Sequence, residues 1–100
     1  MGKPRKQNGI VTLKQMKDYL GIDGDALNEL IKGFIGLAKE IVEKTLRFPL
    51  ANFEDGIPPS VNEAIKFIVA SYYTNREQTD VARVEATAGL MLSHVRQAKF

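Results

Sequence analysis

One hundred residues, 44% hydrophobic and 26% charged, have the proportions of a single globular domain, which buries roughly 65% of the surface its unfolded chain exposes. The absence of cysteine and the single histidine, His94, exclude disulfides, thiolate zinc sites, thiol nucleophiles and imidazole-rich metal centres, and fit folding in a reducing cytoplasm. Of the net charge of +2, Lys3, Arg5 and Lys6 supply three, leaving −1 on the rest of the chain: a basic arm on a nearly neutral body.

The opening "MGKPRKQNG" is basic but runs into no apolar stretch. It therefore reads as neither a signal peptide nor a membrane anchor, and no later run of apolar residues is long enough to span a bilayer. With Met1 as its single large apolar side chain, residues 1–9 are expected to form a disordered, mobile arm, since they cannot offset the entropy of ordering.

Thr12-Leu-Lys-Gln15 fits a capping box, predicting a short helix from Leu13 to about Leu20 that Gly21 ends in a left-handed cap. Asp23 or Asp25 is then placed to cap a second helix. Leu27, Leu30, Ile31, Phe34, Ile35, Ala38, Ile41 and Val42 recur there at helical spacing over about twenty residues. Its opposite face carries Asn28, Glu29, Lys32, Lys39, Glu40 and Glu43 together with Gly33 and Gly36. Each glycine costs about 1 kcal/mol relative to alanine in a helix interior. Either the two are tolerated or a neighbouring helix packs closely on them.

Arg47 to Pro59 holds three prolines and an Asp55-Gly56 pair and reads as a loop. Pro58 and Pro59 suit a helix start, and the third helix is expected to run to about Glu77. Between Ala64 and Tyr73 the only polar residues are Lys66 and Ser71, so this helix is apolar on nearly every side. Val61, Ile65, Ile68, Val69 and Tyr72 form a stripe suited to facing the second helix, whereas Phe67 and Ala70 fall outside it and Tyr73 stands near its edge. Two coverings fit these residues: the chain's own helices, or another copy of the protein. "QTDVARVEATAG" is a polar passage in which the helix frays or bends, followed by a last helical segment from about Thr87 to Gln97 with Leu90, Met91, Leu92 and Val95 as its apolar set. The expected fold is all-α, a small bundle of three main helices plus a shorter one.

No spacing suggests a nucleophile–base pair. His94 adjoins Ser93 on a helix, where neighbouring positions do not face each other; the aspartates sit at helix ends and turns, where capping accounts for them; and no glycine-rich phosphate loop exists. No catalytic residues, metal or cofactor are therefore expected, and the chain is not read as an enzyme. A small helical DNA-binding regulator is the alternative. The third helix offers Lys66, Asn75 and Arg76 as base readers among aromatics, on a body whose charge is near zero.

Three segments carry a family resemblance: "VTLKQMKDYLGIDGD", "LAKEIVEKTLR" and, above all, "PPSVNEAIKFIVASYYTNRE". From Val11 to Phe100 the chain resembles the small phage head-tail connectors, head-completion adaptors that assemble as a ring beneath the portal. The most specific element is Tyr72 or Tyr73 through Asn75, Arg76 and Glu77. The aromatic and glycine usual before the arginine are replaced here by Thr45 and Leu46 ahead of Arg47, and "LMLSHVRQAKF" follows the usual ending loosely.

The resemblance implies a structural virion protein of a phage or prophage, with residues 10–100 as a single connector domain. Its implied partners are further copies of itself in a ring of about twelve, the portal protein, a tail-side completion or stopper protein, and DNA passing non-specifically through the lumen; no membrane is involved. Phe67, Ala70, Tyr73, Gly33 and Gly36 are the candidate subunit contacts. Asn75, Arg76, Glu77 and Arg47 are candidate structural residues, Arg76 bridging to another helix through its planar fork of donors. The resemblance places portal docking at Val95, Arg96, Lys99 and Phe100.

Overall fold

The computed structural model describes residues 9–53, 56–75 and 78–98, with side chains up to Ser93. Four α-helices follow one another, α1 (Leu13–Leu20), α2 (Asn28–Leu46), α3 (Pro59–Thr74) and α4 (Val81–Ala98), with a 3-10 turn at Leu50–Asn52 and no strand among the described residues. This is the expected all-α bundle of three main helices and one shorter.

Helix α1 starts as its sequence dictates. Thr12 Oγ1 accepts from the Gln15 N–H at 3.1 Å and Gln15 Oε1 from the Thr12 N–H at 2.9 Å, so two N-terminal donors are satisfied reciprocally. Gly21, at φ 74°, ends the helix in the left-handed conformation. The Ile22 N–H then reaches back to the Lys17 carbonyl at 2.9 Å, as in a Schellman cap.

The start of α2 corrects the expectation for Asp23 and Asp25: its N-cap is Leu27, with no side-chain cap. The Asp25 carboxylate is directed instead toward Lys17 Nζ, at 3.3 Å, and Asn28 Nδ2, at 3.2 Å. Lys17 Nζ also donates to the Gly24 carbonyl. The Lys17 side chain is only 16% exposed, and a shielded ammonium draws a carboxylate more strongly than an amide dipole does.

Helix α3 lies between the other two long helices and packs on both, while α2 and α4 also meet each other. Val61, Ile65, Ile68 and Val69 are buried, and the Tyr72 ring stands 5.9 Å from Phe34 of α2. The predicted stripe thus faces α2. Ala64, also fully buried, joins the core outside that stripe. Among the residues completing the core are Met16 of α1, Ile31, Ala38 and Val42 of α2, and Val84, Ala88 and Leu92 of α4.

Helix α4 begins at Val81, six residues before the expected Thr87. The Asp80 carboxylate accepts from the Arg83 N–H at 3.1 Å and caps it. The polar composition of this stretch hid a narrow seam: Val84, Ala88 and Leu92 recur every fourth residue and are buried, whereas Arg83 and Ala86 face out. Helix α3 correspondingly ends at Thr74 rather than near Glu77. The bundle is flat, 39 × 38 × 16 Å across its Cα atoms, so the helices keep open outer faces.

Candidate assembly surface

Of the sequence-predicted contact residues, Phe67 borders a cleft, whereas Gly33 and Gly36 lie on an open helix face. The cleft, of about 490 Å³, lies between the C-terminal half of α3 and the start of α4, with Phe67, Ser71, Asn75, Thr79, Arg83 and Val84 in its walls. Phe67 is half-buried, packed against the core yet bordering this cleft, and Ala70 and Tyr73 are half-buried too. The chain's own helices therefore cover α3 in part: α4 takes one flank, and a partly open strip remains.

The second surface is the outer face of α2. Gly33 and Gly36 are exposed, and a Cβ built at either would meet nothing within 4 Å. Among the described residues, no other helix packs closely on these glycines. Leu30 and Leu37 border them at helical spacing, Leu30 36% exposed and Leu37 half-buried.

Asn75 organises the corner joining α3 to α4. Its N–H donates to the Ser71 carbonyl at 3.1 Å, and its own carbonyl accepts from the Gln78 N–H at 3.0 Å and the Thr79 hydroxyl at 2.6 Å. Arg76 and Glu77 lie outside the described residues. Arg47 terminates α2 at φ 68°, the single positive-φ non-glycine position among the described residues. Val95 and Arg96 belong to the last turns of α4, where side chains are not described, and Lys99, Phe100 and the arm from 1 to 8 lie outside the described residues.

Two organising residues escaped the sequence reading. The Asn62 carboxamide near the start of α3 accepts from the Val11 N–H at 3.1 Å and donates to the Gly9 carbonyl at 3.1 Å, fixing the segment that leads into α1. Gly9, counted with the arm, is thereby tied to the body. Glu43, assigned to the polar face of α2, accepts from the Leu50 N–H at 2.7 Å through its carboxylate and from the Arg47 N–H at 2.8 Å through its carbonyl. An asparagine in the first turns of a helix, where it otherwise weakens the helix, was the available signal for Asn62; nothing local marks Glu43.

Two of the three candidate base readers are engaged within the fold. Lys66 Nζ lies 5.6 Å from the centre of the Tyr19 ring and 3.4 Å from Glu63, and Asn75 holds the corner. Among the described residues no group of three or more His, Asp or Glu is placed to hold a metal ion, and no helix is long and apolar enough to cross a membrane. What these features define is a small helical module with a largely polar cleft between α3 and α4 and an open glycine-bearing face on α2. A family model described as "Phage gp6-like head-tail connector protein" matches residues 10–91, and the chain belongs to that family. This is a family of structural virion proteins that associate with portal and tail components. No curated protein and no solved structure matches the chain.

Proposed function

We propose that the protein is a subunit of a closed ring of about twelve copies, seated on the portal, with DNA passing through its lumen. A ring needs a heterologous contact, in which one patch meets a different patch on the next subunit. The observation that carries the reading is that this small chain presents two unlike, incompletely covered faces: α3 at the half-buried Phe67, Ala70 and Tyr73, and the outer face of α2 at the exposed Gly33 and Gly36. A connector of this kind has no reaction to perform. The end of α4 and the residues after it, with Val95, Arg96, Lys99 and Phe100, are the proposed portal contact; a tail-side completion protein meets the opposite rim, and the charges of Lys3, Arg5 and Lys6 suit contact with phosphate.

One comparison tests this reading. Wild-type protein, Phe67→Asp and a chain lacking residues 94–100 are followed by native mass spectrometry and by incorporation into heads. The wild type should form closed rings, alone or on the portal. Phe67→Asp should keep its helical circular dichroism and lose ring formation. The truncated chain should fold and fail to enter heads. Salt-sensitive duplex binding by a monomer that never assembles would instead identify a DNA-binding regulator.

A further inference from the structure

Among the open features of the helices, one on α4 and one on α2 have complementary shapes. On α4, Leu90 is 77% exposed, more than Tyr19, Leu30 or Val81. Ala86 and Ser93, one turn to either side on the same face, are small and exposed, so the Leu90 isobutyl group stands out as a knob. On α2 the form is reversed. Gly33 and Gly36 carry no side chain and leave open space beside Leu30 and Leu37 where a neighbouring side chain can approach the helix backbone.

The charges beside these features share a register. Arg83 precedes Leu90 by seven residues and Glu40 follows Gly33 by seven, in each case two helical turns, or about 10.5 Å, along the same face. A helix laid antiparallel on α2 with Leu90 at Gly33 therefore brings Arg83 to Glu40. Glu40 makes no ion pair among the described residues, whereas Glu29 on the other side of Gly33 already faces Lys32 at 3.4 Å.

Both features lie on helix faces turned away from the core that α2 and α4 share. One chain cannot close this contact on itself. Taking the self-assembly proposed above as given, we infer that Leu90 of one copy seats on the open Gly33–Gly36 face of the next, with Arg83 paired to Glu40. The knob that enters the glycine face thus comes from α4.

The chain has no cysteine, so a designed pair reports without interference. A Leu90→Cys, Gly33→Cys double variant under mild oxidation should give a ladder of covalent oligomers on a denaturing gel, collapsed by reductant, while each single variant, with no cysteine opposite its own at the contact, should run as a monomer. Leu90→Arg changes a solvent-facing residue; it should retain the wild-type melt and yield monomers. Glu40→Arg should weaken assembly and Arg83→Glu should restore it. If Leu90→Arg still forms wild-type assemblies, or the double-cysteine chain stays uncrosslinked within them, another surface makes the contact and this inference fails while the ring reading stands. A wild-type chain that never assembles, at high concentration or with portal present, removes both.

Discussion

Helix α3 and the outer faces of α2 and α4 use similar apolar residues in opposite settings. The apolar side chains of α3 are taken up on two sides, and Val61, Ile65, Ile68 and Val69 lie at or near zero exposure. On the outer faces Leu30 and Leu90 stay in water, at 36% and 77% exposure, although Leu90 immediately precedes Met91 and Leu92, which turn to the core. The difference is one of coverage: a slab only 16 Å thick has enough chain to cover its middle helix and too little to cover both flanking ones. Substitutions in α3 should therefore read out in stability, and substitutions on the flanks in assembly.

The sharpest test of that contrast is Ile68→Ala. A fully buried isoleucine replaced by alanine loses transfer free energy and leaves a cavity, costing about 2–5 kcal/mol, visible as a lowered urea midpoint. A loss under about 0.5 kcal/mol, the size expected at an open surface, would erase the distinction between the two regions.

A smaller effect is expected at Asn62, which joins the start of α3 to the segment ahead of α1. Asn62→Ala removes both hydrogen bonds to Gly9 and Val11 and should cost about 1–3 kcal/mol. Amide hydrogen exchange at Val11 should quicken more than at Ile68, because the loss is local. Equal acceleration at both would show that the clamp belongs to the same cooperative unit as α3.

The smallest change is a gain. Arg47 holds a left-handed backbone conformation at the end of α2, a position glycine occupies without steric cost. Arg47→Gly should raise unfolding free energy by up to about 1 kcal/mol, read as a shifted melting temperature. A lowered melt would show that the arginine side chain outweighs the backbone strain.

Local chemistry made much of this fold legible. The Thr12–Gln15 box, Gly21, the Pro58–Pro59 start and the Val61–Tyr72 stripe each rest on contacts within a few residues or on simple helical periodicity, and each stands where its sequence puts it. The proposed contact residues Gly33, Gly36, Phe67 and Ala70 stood out in the sequence as departures from their helices' patterns, and the structure leaves the glycines exposed and Phe67 and Ala70 half-buried.

What the sequence could not decide depended on partners outside the helix's own repeat, some only seven or eight residues away and others across the core. Asp25 was free by local rules to cap α2, and only the approach of Lys17 drew its carboxylate away. The early start of α4 is supported by a seam of Val84, Ala88 and Leu92 that gains its burial against the core. Glu43 becomes a structural acceptor once the 3-10 turn brings the Leu50 N–H to 2.7 Å. Leu90, read from periodicity as one of α4's apolar set, is put into water by the rotation of α4 about its own axis, which the packing of Ala88 and Leu92 on the core fixes. Capping and periodicity are properties of short segments and can be read in order along the chain; which face of a helix remains uncovered is a property of the whole packed layer, and only the tertiary structure sets it.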